Sequence, residues 1–97
     1  MSYAIIWTYD VAPGHEAAFR AAYGPDGDWA RLFAKAPGFI GVELLEGARY
    51  ATIDRWDAQA AFDAFKAQHG GAYAALDAKL APLTVAQQLV GAFNAVK

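Results

Sequence analysis

Two side chains in this sequence could carry a proton near neutral pH, and both stand among aromatic residues. One is His69, since an imidazole is the side chain type best suited to proton transfer near neutrality. Asp54 would become a base on burial, because a carboxyl group taken out of water keeps its proton to higher pH. Alternation along Arg49 to Trp56 puts Asp54 on one strand face with Tyr50, Thr52 and Trp56, and helical spacing puts His69 four residues beyond Phe65. If that strand face looks toward the helices, a small polar group forms, walled by Trp56, Phe65 and Tyr73 with Thr52 beside it, as in a ligand pocket.

Each residue also has a plainer use. Trp56, at a strand end before a helix, can anchor the joint through its area alone. Asp54 can pair with Arg49 or Arg55. His69, next to Gly70-Gly71, can complement the last carbonyls of a helix. His15 falls in a first helical turn and reads as solvent-facing. One of Gln87 and Gln88 must face a buried side of the last strand, where an amide needs partners.

The elements that would position these groups follow from local pattern. Tyr3 to Val11, YAIIWTYDV, is β-branched and aromatic and ends at Pro13-Gly14, which predicts a strand with apolar residues on both faces. His15 to Tyr23 then takes helical period, with Phe19 and Tyr23 on one side and a Glu16 to Arg20 pair on another. After the GPDGD interruption, Asp28 is placed to cap a second helical piece whose Trp29, Leu32, Phe33 and Ala36 make a stripe. Phe39 to Glu46 and Arg49 to Trp56 form a hairpin around Gly47-Ala48. Asp57 is placed to cap the next helix, with Phe62 and Phe65 inward and Asp63 and Lys66 outward. Gly70-Gly71 breaks it, a further helical piece carries Tyr73, Leu76 and Leu80, and Pro82 ends that piece. Thr84 to Asn94 is the last strand, with Gly91 marking a bulge or a close backbone approach.

Strand, helix, strand, strand, helix, strand is the order of the ferredoxin-like split βαβ arrangement: an α+β fold with a four-stranded antiparallel sheet and its helices on one face. The chain, residues 1–97, is expected to form one domain of this type. About a quarter of it is alanine, so the large core residues are few. The other sheet face carries more apolar surface than water tolerates, which predicts a homodimer with two sheets packed face to face.

The totals exclude several partners. Net charge is −2 and the eight basic residues are scattered, so there is no phosphate-tracking surface and nucleic acid is not expected. Without cysteine there is no disulfide or thiolate chemistry, and the two histidines have no companion at metal-ligand spacing. No metal and no cofactor is expected. A basic leader and an apolar run of roughly 18 residues are both missing, so no membrane role is expected and a soluble cytoplasmic protein is.

The stretches DVAPGHEAAF, PGFIGVELLE and above all RWDAQAAFDAF make the chain resemble the dimeric α/β-barrel superfamily, and within it the antibiotic biosynthesis monooxygenase domain. The resemblance covers essentially the whole chain. It implies a cavity between sheet and helices, and a cofactor-independent monooxygenase-like activity on a planar aromatic or quinol-type compound. His69 and Asp54 would then handle protons, and Trp56, Phe65, Tyr73 and Thr52 would line the pocket. The superfamily also implies two other readings: a non-catalytic homodimer that binds a small ligand or merely assembles, and an isomerase using the same proton-handling groups. Its haem-degrading branch has an Asn on the first strand and a His about ten residues beyond the Trp. Here the first strand offers Ile6, Trp7 and Thr8, and the tenth residue past Trp56 is Lys66, so haem is disfavoured.

Overall fold

Strand alternation decides which residues can meet the helices, and pairing register shows which set does. In the computed structural model, which describes residues 2–96, the chain runs β1 (Tyr3–Val11), α1 (Glu16–Tyr23), α2 (Asp28–Phe33), β2 (Phe39–Glu46), β3 (Tyr50–Trp56), α3 (Gln59–Leu80), a 3-10 turn (Ala81–Leu83) and β4 (Thr84–Asn94). The sheet has the order β2-β3-β1-β4 with every neighbour antiparallel, which is the ferredoxin-like α+β arrangement.

Between β1 and β3, Tyr3 lies opposite Trp56, Ile5 opposite Asp54, Trp7 opposite Thr52 and Tyr9 opposite Tyr50. All four pairs therefore share one face. That face meets Phe19 and Tyr23 of α1, Trp29 and Phe33 of α2 and Phe65 of α3 in a single buried cluster. Ala4, Ile6, Thr8 and Asp10 alternate to the other face with Ala51, Ile53 and Arg55, where the ion pairs Arg49–Asp10 (2.9 Å) and Arg55–Glu43 (3.6 Å) lie in solvent. The core is largely aromatic. Trp56 meets Phe33, Phe39, Phe62 and Phe65 with ring centroids 5.2–5.5 Å apart, mostly edge to face, the favourable geometry for such rings.

Three local expectations change. Asp57 does not cap α3: the cap position is Ala58, without a side-chain hydrogen bond, and Asp57 instead donates its backbone N–H to Gly38 C=O at 2.7 Å. Asp28 is likewise the first residue inside α2 rather than its cap, which is Gly27, and its carboxylate pairs with Arg31. Arg20 reaches across to Glu46, Nε to Oε1 at 3.1 Å, rather than to Glu16, and so ties α1 to β2. The break expected at Gly70-Gly71 falls one residue earlier, as a kink at His69 (φ −121°, ψ 20°) where two helical segments meet within Gln59–Leu80.

Packing holds a helical segment on each side of the kink. Phe65 before it and Leu80 after it are buried, and holding both offsets the roughly 1 kcal/mol by which each glycine disfavours a helix. A Cβ added at Gly71 would meet nothing within 4 Å. Gly71→Ala is therefore expected to raise stability by about 0.5–1 kcal/mol, read as a higher urea midpoint with unchanged slope.

β4 follows the expected boundaries. Its bulge sits beside the marked glycine: Ile6 faces Gly91 and Trp7 faces Leu89, leaving Val90 as the extra residue. The Phe93 ring covers Gly91, and a Cβ there would come within 3.0 Å of it. Among the described residues, no helix is long and apolar enough to cross a membrane.

Candidate active site

The helices pack over β2, β3 and β1 and leave β4 uncovered; none of its residues is buried. A gap therefore remains between α3 and the β1/β4 side of the sheet, and the candidate site lies there. It has two adjoining lobes. In the inner one, of about 90 Å³, Trp7, Tyr9, Thr52 and Asp54 come from the sheet, Trp29 and Phe33 from α2 and Tyr73 from α3, with Asp77 and Gln87 also on the wall. The outer one, of about 230 Å³, shares Trp7, Phe33, Asp54 and Tyr73 and adds Phe62 and Lys66 from α3 and Leu89 and Ala92 from β4. Asp54 is thus the acidic group common to both.

The Asp54 carboxyl has no hydrogen-bond or ion-pair partner among the described residues, because β3 alternation sends Arg49 and Arg55 to the opposite face, where they engage Asp10 and Glu43. What remains accessible of Asp54 opens into the cavity. Burial without a compensating cation pushes its pKa up to about 7. Near neutral pH the group is divided between acid and carboxylate, which fits it to take a proton and return it.

The Tyr9 hydroxyl and Thr52 Oγ1 form a buried hydrogen bond of 2.9 Å on the same floor, and burial raises the Tyr9 pKa so that it stays a neutral hydroxyl. Burial raises Tyr23 and Tyr73 in the same direction. Lys66 stands at the outer lobe with Nζ 3.9 Å from the centroid of the Tyr73 ring.

Three of the six residues singled out from sequence come together on this wall: Asp54, Thr52 and Tyr73. Trp56 and Phe65, at 0% and 1% exposure, are sealed in the core and line neither lobe. His69 lines neither lobe as well; it sits at the α3 kink with its ring stacked on Phe65 at 5.4 Å.

Local pattern places Trp7 and Tyr9 on an apolar strand and Trp29 and Phe33 on a helix stripe without marking them for a site, and it turns Lys66 outward. A signal for Lys66 was nevertheless present, since Lys66, Gly70, Tyr73 and Asp77 follow the four- and three-residue spacing of one helix stripe. No group of three or more His, Cys, Asp or Glu residues is placed to hold a metal ion among the described residues.

The family profile described as Antibiotic biosynthesis monooxygenase matches residues 2–70. No curated protein matches the chain. Among solved structures, SnoaB from Streptomyces nogalater, a cofactor-independent oxygenase, is similar at 24% identity with a TM-score of 0.72, over 99% of this chain and 94% of that one. A mutant of SnoaB gives a TM-score of 0.78 at the same identity and coverage. MupZ from Pseudomonas fluorescens is similar at 13% identity with a TM-score of 0.66, over 94% of this chain and 68% of that one. At these identities the likeness establishes a shared fold. With the profile covering more than half of the sequence, the chain belongs to the antibiotic biosynthesis monooxygenase family.

Proposed function

We propose that the protein is a cofactor-independent monooxygenase that oxidises a small, flat, weakly acidic aromatic compound in the cavity between α3 and the sheet. The observation that carries this reading is Asp54, an unpaired carboxyl between two aromatic-walled lobes with its pKa at about 7. Family membership supports the reaction class, and the fold shared with a cofactor-independent oxygenase is consistent with it.

The chemistry needs little else from the protein. Ground-state oxygen reacts readily only with an electron-rich partner, so the first requirement is an anion. Asp54 takes a proton from an activated ring CH₂ or phenol, and a carboxylate with a pKa near 7 is a stronger base for this than an ordinary aspartate. Trp7, Phe33 and Tyr73 hold the ring flat and keep water from the anion. The anion passes one electron to oxygen, the resulting radical and superoxide join at the ring carbon, and the hydroperoxide loses water. The proton on Asp54 returns to the peroxide anion as the hydroperoxide forms, so that overall CH₂ and O₂ become C=O and H₂O and Asp54 is a carboxylate again. The lobes are small beside the range of about 300–1,000 Å³ for ligand pockets, which favours a planar substrate of two or three rings.

Oxygen uptake with a panel of anthrones and naphthohydroquinones tests this. Turnover should rise with pH through about 7 as Asp54 ionises, with one atom of labelled oxygen entering the product. No uptake across the panel contradicts an oxygenase. Substrate proton exchange under nitrogen without oxygen uptake would indicate the isomerase reading, which uses the same base.

A second copy of the chain belongs to the same proposal. The sheet face away from the helices presents Ile6, Ile53, Leu45 and Phe93, the last two at 46% and 49% exposure, and an apolar face of this kind is stable in water when another covers it. Light scattering at micromolar protein should give twice the 10.4 kDa chain mass; a monomer mass contradicts the pairing.

A further inference from the structure

The fold does not require glycine at positions 70 and 71. A Cβ added at either would meet nothing within 4 Å, and neither has the positive φ found at Gly14, Gly38 and Gly91. Alanine would make the better helix at both. The pair follows directly on His69, whose φ and ψ are non-helical, so the chain is easiest to bend where the two segments of α3 already meet.

The cavity lies beside this bend, since Lys66 before it and Tyr73 after it both line the outer lobe. Phe65 and Leu80 are buried, and none of residues 66–79 between them is. The segment beyond the bend carries Tyr73, which walls both lobes, and Asp77, which walls the inner one. It is held lightly. Tyr73 leans on Trp29 with ring centroids 5.1 Å apart, the Lys66 ammonium rests 3.9 Å from the Tyr73 ring centroid, and Lys79 Nζ approaches the Asp28 carboxylate at 3.9 Å. Ties of this kind near the surface contribute little each. Even together, lobes of about 90 and 230 Å³ reach only the lower edge of the usual range of about 300–1,000 Å³, so a bound ring system gains room when this wall moves.

We infer that residues 70–79 form a strap over the cavity, hinged at His69 and the two glycines and anchored at Leu80, which bows outward to admit a flat ligand and settles back over it. This rests on the reading above only in taking the cavity as a ligand site; it does not depend on the reaction. The motion is a local opening, and a segment without buried side chains opens far more often than the whole domain unfolds. The strap must move for association and for dissociation alike. Stiffening it therefore slows both and leaves affinity nearly unchanged.

Amide hydrogen exchange in the native protein tests the strap directly. Amides of residues 74–79 should exchange about a hundredfold faster than those of residues 63–67, with little response to low urea, while the slower set accelerates as urea is added. Replacing both glycines together, Gly70→Ala with Gly71→Ala, should slow the faster set about tenfold relative to the slower one. In stopped-flow binding of a dihydroxyanthraquinone, the same variant should show association and dissociation both slowed about tenfold, with Kd within about twofold of native. Equal exchange rates in the two sets, rising together with urea, overturn the strap whatever the cavity binds. Binding rates unchanged by the glycine substitutions overturn its control of entry. If the strap shows these rates and the protein takes up no oxygen with any compound, the oxygenase reading fails and the strap stands.

Discussion

Asp54→Asn is expected to abolish oxygen uptake while making the protein more stable at alkaline pH. The loss of activity, on the order of 10²–10⁴-fold, follows from removing the proton acceptor while keeping the size and shape of the side chain. The gain in stability follows from linkage. In the unfolded chain the carboxyl titrates near the model value of 3.8, whereas in the fold it holds its proton to about 7. Below pH 4 both states carry the proton and the group is neutral with respect to folding. Between pH 4 and 7 the unfolded state ionises first, so rising pH favours unfolding, and above 7 the penalty is complete. At about 1.4 kcal/mol per pKa unit the native protein gives up on the order of 4 kcal/mol at pH 8 to keep this carboxylate buried. Asparagine has no such penalty, so the variant should melt several degrees higher at pH 8 and at nearly the native temperature at pH 3.5. A stability difference unchanged between those two pH values would mean that charge burial is not its cause.

Trp56→Ala is expected to bring the chain close to unfolding. Trp56 is 0% exposed and touches four phenylalanine rings, so truncation leaves a large void where β3 meets α3. Such substitutions cost about 3–5 kcal/mol, against a total stability of about 5–15 kcal/mol for a domain of this size. Trp56→Phe should behave differently. The Trp56 Nε1–H is buried without a hydrogen-bond partner among the described residues, and removing an unsatisfied donor offsets part of the lost packing. A loss of about 1 kcal/mol in urea melts is expected, with turnover within about twofold of native because the indole lines neither lobe. A turnover loss of a hundredfold in a stably folded Trp56→Phe protein would show that the indole acts on the substrate after all.

The two substitutions also show what the amino-acid pattern could and could not disclose. Strand boundaries, the two-piece first helical segment and the order of the sheet follow from alternation and from the Pro-Gly, Gly-Ala and Pro punctuation, because these act over a few residues. The break at Gly70-Gly71 was legible to within a residue, because glycine's helix penalty of about 1 kcal/mol acts locally and the two segments on either side of the His69 kink are held by Phe65 and Leu80. Asp57 failed as a cap because its backbone is drawn into a hydrogen bond with Gly38, remote in sequence. That Asp54, Thr52 and Tyr73 share one cavity wall was legible, since alternation fixes the face of the first two and helical period that of the third. His69, Trp56 and Phe65 lie on the same elements but line neither lobe. Whether an inward aromatic fills the core or borders a cavity depends on where the helices end relative to β4, and no local spacing encodes that. Helical phase relative to Phe62 and Phe65 turns Lys66 outward, yet Tyr73 seven residues on stands beside it at the cavity mouth.

The site stands or falls on one carboxyl group. A ¹³C NMR titration of the Asp54 side-chain carboxyl, assigned by comparison with Asp54→Asn, should give a midpoint at about 7 in the folded protein and move on addition of an aromatic ligand. A midpoint in the ordinary aspartate range near 4, unmoved by ligand, would place Asp54 in water and contradict both the buried base and the reaction assigned to it.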